Sequence, residues 1–105
     1  KPDLARDLLQ MLLDFLPQVR ERVQALLEGQ HDDEILDLVH KLHGSCSYSG
    51  VPRLKQLCFY LERQLRQGIT NDELEPEWLE LLDAIELVIH AARVHLAQPA
   101  GILRP

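Results

Sequence analysis

The stretch best equipped for chemistry is His40-Lys41-Leu42-His43-Gly44-Ser45-Cys46-Ser47-Tyr48-Ser49-Gly50. A histidine has an ordinary pKa of about 6.5, so near neutral pH much of it is uncharged and carries a free nitrogen lone pair. That lone pair is a nucleophile, able to accept a phosphoryl group from a donor that approaches in line. Such a transfer asks for positioning and charge neutralisation, and a partner protein can bring both, a metal included. Gly44 is the second unusual residue. It stands in the middle of a segment with helical periodicity, where glycine costs about 1 kcal/mol relative to alanine. It follows His40 by four residues and so lies next to it on the same helix face. An exposed imidazole with a bare patch beside it is open to another protein. The plain alternative is a surface histidine with no task.

Other chemistries find less support. His40 and His43, three apart, make half of a metal site, but no third and fourth ligand stands at suitable spacing. No glycine-rich phosphate cradle is present, which argues against nucleotide binding. His31, His90 and His95 read as helix-end or surface residues.

Four amphipathic segments must position these residues. The first runs from about Asp3 to Leu27, with Leu4, Leu8, Met11, Leu12, Phe15, Val19, Val23, Leu26 and Leu27 at spacings of three and four. Pro17 lies inside it and predicts a kink or a break near Leu16. The second opens at His31-Asp32-Asp33-Glu34, where aspartates can cap free amides. At 100° per residue, Ile35, Leu38, Val39, Leu42, Cys46 and Ser49 share one side. Leu36, His40, His43, Gly44 and Ser47 occupy the opposite half, with Asp37 and Lys41 beside them. The third, from about Pro52 to Gln67, carries Leu54, Leu57, Cys58, Leu61 and Leu65, and Gly68 closes it. Ile69 to Glu75 reads as a polar loop. The last segment starts near Pro76 and carries Trp78, Leu81, Leu82, Ile85, Val88, Ile89, Ala92 and Leu96.

Short connections make successive helices antiparallel, so the expected fold is all-α, an up-down-up-down four-helix bundle. The expected domain covers residues 1–97, with residues 98–105 as a flexible C-terminal tail. The chain has 105 residues, 46% hydrophobic, 5% aromatic, and a formal charge of −6. That fits one leucine-rich helical core and leaves little room for a large cleft. The acidic balance argues against nucleic-acid binding. No apolar run is long enough to span a bilayer, and Lys1-Pro2-Asp3 begins neither with a methionine nor with a signal peptide, which suggests a piece of a longer protein. Cys46 and Cys58 lie in apolar stripes and read as buried free thiols in a reducing compartment. Charge is uneven: Lys41, Arg53, Lys55, Arg63 and Arg66 outnumber Glu62 in the middle, while every charged residue from Asp72 to Glu86 is acidic. The middle group forms either a solvated face or a cationic flank for an acidic partner.

The run from His40 to Gly50, followed by Leu54, Leu57, Leu61 and Glu62, resembles the signature of histidine-containing phosphotransfer (HPt) domains. The longer match, through Val51-Pro52-Arg53-Leu54, is similar to the C-terminal HPt module of tripartite hybrid sensor kinases of the BarA/GacS type. The resemblance implies that His40 accepts a phosphoryl group from a receiver-domain aspartate and passes it to a second receiver. The partners it implies are the receiver of the parent hybrid kinase and the receiver of a cognate response regulator. It implies no bound cofactor, because magnesium belongs to the receiver. It also implies no autokinase activity in this chain, and a cytoplasmic place at the C-terminal end of an inner-membrane sensor kinase. A monomer is expected for the isolated domain. One departure stands out: the family's common lysine three positions after the acceptor is His43 here. Lys41 and a protonated His43 are the candidates to support the phosphoryl group instead. Leu36, Gly44 and Ser47 are candidate docking contacts, Gly44 as clearance for the partner. A non-phosphorylated interaction bundle of the same fold is the alternative.

Overall fold

In a computed structural model, residues 4–49 and 51–97 are described, with the side chains of Leu4, Ala5 and residues 47–49 left aside. The described residues form four helices: α1 (Leu4–Leu27), α2 (Ile35–Ser49), α3 (Pro52–Arg66) and α4 (Glu75–Ala97). Each helix packs on two neighbours in a closed ring of α1, α2, α3 and α4. Cross-links between neighbours show antiparallel pairing: Arg20 reaches Glu86, Arg6 reaches the Leu96 carbonyl, Arg22 reaches Asp32, and His40 reaches Glu62. This is the expected four-helix bundle. Gly50, the side chains of Tyr48 and Ser49, and the expected tail at 98–105 lie outside the described residues.

Local chemistry explains the helix ends. Gly29 and Gly68 adopt φ of +94° and +88°, the left-handed conformation that lets a chain turn out of a helix. Asp32 Oδ1 accepts the Glu34 N–H at 3.0 Å and the Arg22 guanidinium at 2.8 Å, which ties the start of α2 to α1. The guanidinium bond, joined by the Glu34 N–H, outweighs partial burial and holds the Asp32 carboxyl below the usual range. Pro52 begins α3, where a missing N–H costs nothing.

Of the kink or break expected at Pro17, the break does not occur: α1 continues through it as one helix; Leu16, Val19 and Val23 are fully buried around it, and that packing holds the helix together across the missing bond. Two further local expectations need correction. Within α1, Met11 is 66% exposed, and Leu16, absent from the predicted stripe, is in the core. Leu16 stands four residues after Leu12 and three before Val19, within the stripe those residues mark, while Met11 sits at its margin. The segment Ile69–Glu75 is not simply a polar loop. Leu74 is buried, and Thr70 and Glu73 bond reciprocally, the Thr70 hydroxyl accepting the Glu73 N–H while Glu73 Oε1 accepts from Thr70. This capping box starts a helical turn that leads into α4.

The core is continuous, from Leu12 to Leu26 on α1, through Ile35, Val39, Leu42 and Cys46 on α2 and Leu54, Cys58 and Leu61 on α3, to Trp78 through Ile89 on α4. Cys46 and Cys58 are buried and unbridged, as expected. With these faces turned inward, His40, Lys41 and Gly44 on the opposite half of α2 are left to solvent.

Candidate functional site

His40 lies on the outer face of α2, its side chain 59% exposed. Its Nδ1 is 2.7 Å from Glu62 Oε2 on α3. A carboxylate only accepts, so the proton of this bond sits on Nδ1, and in the neutral ring the lone pair is on Nε2. Glu62 is the sole buried charged residue among those described, its side chain 11% exposed. Burial works against its charge. Bonds from Arg66, at 2.8 Å, and from His40 outweigh it and hold the carboxyl below the usual range. The site therefore has a fixed anion behind the ring and an open nitrogen in front.

A Cβ built on Gly44 meets nothing within 4 Å. The helix gains nothing from glycine here through its own packing, and the space over this turn is empty. Beside it, between α1 and α2, runs an apolar groove of about 550 Å³ lined by Leu8, Met11, Phe15, Lys41 and Gly44. The groove runs from Lys41 and Gly44 on α2 to the exposed Met11 on α1.

The other expected site residues fall unevenly around this centre. His43, placed by periodicity on the solvent half, turns into the α2–α3 seam. Its side chain is 24% exposed, its Nδ1 lies 3.4 Å from Glu62 Oε1, and its ring packs against Phe59 at 5.7 Å. Lys41 is exposed and lies 3.2 Å from Asp37. Leu36 is half-buried one turn before His40. Ser47 is on α2, with its side chain outside the described residues. The cationic flank is partly neutralised, since Arg66 is held by Glu62 and Arg53 lies 3.9 Å from Glu80. Among the described residues no three His, Cys, Asp or Glu side chains converge as metal ligands.

Sequence reasoning missed the role of Glu62. The signal was there: Glu62 follows Leu61 and stands four residues after Cys58, at the margin of a buried stripe, where a charge needs a partner. Arg66, one turn on, was the cation at the spacing that shares a helix face with Glu62.

The comparisons agree with this geometry. Residues 7–94 match the family model for the Hpt domain. The chain is 59% identical over 92 residues to the signal transduction histidine-protein kinase BarA of Escherichia coli K12, covering 88% of this chain and 10% of that one. It is 37% identical over 73 residues to the sensor protein GacS of Pseudomonas syringae pv. syringae, covering 70% and 8%. It thus spans about a tenth of the length of these curated relatives. A crystal structure of the HPT domain of a sensor hybrid histidine kinase from Shewanella superposes with a TM-score of 0.86 at 40% identity, covering 93% of this chain and 84% of that one. With its four antiparallel helices and the histidine-glycine face of α2, this chain belongs to the Hpt domain family.

Proposed function

We propose that this chain relays phosphoryl groups between receiver domains, with His40 Nε2 as the covalent acceptor. The observation that carries this reading is the 2.7 Å bond between His40 Nδ1 and Glu62, which leaves Nε2 bare on an exposed face beside Gly44. The Nε2 lone pair attacks the phosphorus of a receiver aspartyl phosphate. The new N–P bond forms as the P–O bond to the aspartate breaks, and the aspartate leaves as a carboxylate. The ring keeps its Nδ1 proton and becomes positively charged, and Glu62 faces that charge directly. The reverse step hands the group to a second receiver. Magnesium enters with the receiver, and no step uses a metal on this chain.

Docking falls to the surface around the acceptor. Gly44 gives the receiver clearance, and the groove with Met11 takes an apolar contact; Leu36 and Ser47 are further contacts on α2. Lys41 and His43 supply positive charge near the phosphoryl group, His43 from its place against Glu62. The donor receiver is that of the parent hybrid kinase and the acceptor that of a response regulator. The working unit is residues 1–97, an extent supported by the match over residues 7–94, with 98–105 as a tail. Its setting is the cytoplasmic C-terminal end of an inner-membrane sensor kinase. In support, the relatives it matches are a signal transduction histidine-protein kinase and a sensor protein; no helix among the described residues is long and apolar enough to cross a membrane. The isolated chain works as a monomer.

Mixing the chain with a receiver carrying labelled phosphate tests the proposal. Label that is acid-labile, stable in alkali and absent from His40→Gln is the expected result. Binding of the receiver without label would instead make this an interaction bundle.

A further inference from the structure

α4 stands diagonally across the ring from α2, packed on α1 and α3, so its outer face turns away from His40. Its inner stripe, with Trp78, Leu81, Ile85 and Ile89, is buried. Its outer side is apolar as well. Leu79, Leu87 and Val94 are 51%, 62% and 50% exposed, and they make up half of the large apolar side chains exposed among the described residues. At 100° per residue, Leu79, Asp83, Leu87, His90 and Val94 fall within about 80° of one another, with Glu80 and His95 along one edge. A helix that is apolar on both sides calls for cover on both.

The charges on this face say what the cover is. Glu80, Asp83 and Glu86 lie before Leu87, and His90, Arg93 and His95 lie after it. Counted from Leu87, Leu79 is eight residues before and Val94 seven after. Asp83 is four before and His90 three after, while Glu80 is seven before and His95 eight after. Turned end for end about Leu87, the face therefore matches its own complement to within one residue.

We propose that the outer face of α4 binds a second copy of this chain, with the two α4 helices antiparallel about a two-fold axis at Leu87. This goes beyond the phosphoryl relay and does not depend on it. In that register Leu87 meets the partner's Leu87, and Leu79 meets the partner's Val94. Asp83 faces the partner's His90 and Glu80 faces the partner's His95, and the symmetry makes each of these contacts twice. Asp83 and His90 lie to one side of Leu87 on the helix, and Glu80 and His95 to the other. A two-fold axis keeps each side in common, so both pairs are within reach. A parallel pair would instead set Asp83 against Asp83 and Glu80 against Glu80, carboxylate on carboxylate. Glu80 is held only loosely in its own chain, 3.9 Å from Arg53. The stripe from Leu79 to Val94 is about 22 Å long and one helix wide, which places the contact at the small, weak end of protein interfaces. The dilute chain thus stays the monomer that serves the relay, and pairing sets in at high concentration. Both histidine faces stay open on the far sides of the pair.

Sedimentation equilibrium of the intact chain from about 10 µM to about 1 mM, the range of a weak interface, reads the pairing. The average mass should rise from that of one chain toward that of two. Leu87→Asp, checked for helix content by circular dichroism, should weaken association at least about tenfold. Oxidation at high concentration reads the orientation. Leu87→Cys chains should link to each other across the axis. Leu79→Cys chains should not, because their positions are about 24 Å apart along an antiparallel pair, but should link to Val94→Cys chains on mixing. A chain that stays monomeric throughout, which would give the stripe to a different partner, overturns the proposal whether or not any variant folds. Unchanged association in folded Leu87→Asp, or Leu79→Cys chains that link to each other as readily as Leu87→Cys chains do, overturns it too.

Discussion

Replacing Glu62 with Gln tests the electrostatic half of the proposed mechanism. The amide matches the carboxylate in size, and its oxygen can still accept from His40 Nδ1, so the ring should keep its orientation. What disappears is the negative charge facing a ring that becomes positive on phosphorylation. A hydrogen bond to a charged group contributes about 1 kcal/mol more than a neutral one. The site is sheltered, with Glu62 only 11% exposed at the side chain, so little of that difference is screened. About 1 kcal/mol corresponds to roughly fivefold in rate. Glu62→Gln should therefore accept phosphate from a receiver about fivefold more slowly, and the transfer equilibrium should shift toward the receiver. Rapid-quench transfer from a labelled receiver measures both, with circular dichroism to check the fold. A folded Glu62→Gln chain that transfers at the unaltered rate, with an unaltered equilibrium, would refute the assignment of Glu62 as counter-charge.

Three further outcomes are expected. Gly44→Ala should raise stability by about 1 kcal/mol, a few degrees in Tm, because its Cβ meets open space; Gly44→Arg should keep the helix content and slow transfer, seen by circular dichroism and the same transfer assay. Asp32→Ala should cost about 1 kcal/mol at pH 7 in urea unfolding, after allowing for solvent screening of the partly exposed Arg22. The Asp32 carboxyl titrates lower in the folded chain than in the unfolded one. Its contribution is complete above the ordinary carboxylate range and fades as pH falls through the folded value, so the difference between the two chains should shrink in acid. Met11→Asp should leave urea unfolding within about 0.5 kcal/mol of the unaltered chain, yet weaken receiver binding about tenfold by titration calorimetry.

The helices were legible because each buries one regular stripe. Val39, Leu42 and Cys46 on α2, and Leu54, Cys58 and Leu61 on α3, are read correctly from spacing alone, and the same spacing leaves His40 and Gly44 outside. What periodicity could not supply is the content of the seam. His40 and Glu62 are 22 positions apart, and their bond exists only because α2 and α3 pack side by side. His43 shows the same limit: its wheel position faces solvent, but Phe59 and Glu62 draw the ring inward. Pro17 does not break α1 because local propensity is weaker than the packing of Leu16 and Val19 around it. Thr70 and Glu73 were hidden by their polarity, which suits a capping box as well as a loop.

The relay proposed for His40, with one acceptor nitrogen on the exposed face beside Gly44, has a kinetic corollary. Donor and recipient need the same ring and the same clearing beside Gly44, so they exclude each other and must take turns. Delivery then requires departure of the first visitor before arrival of the second. A surplus of unloaded recipient should throttle charging of His40, and a lesion on that face should impair pick-up and drop-off alike.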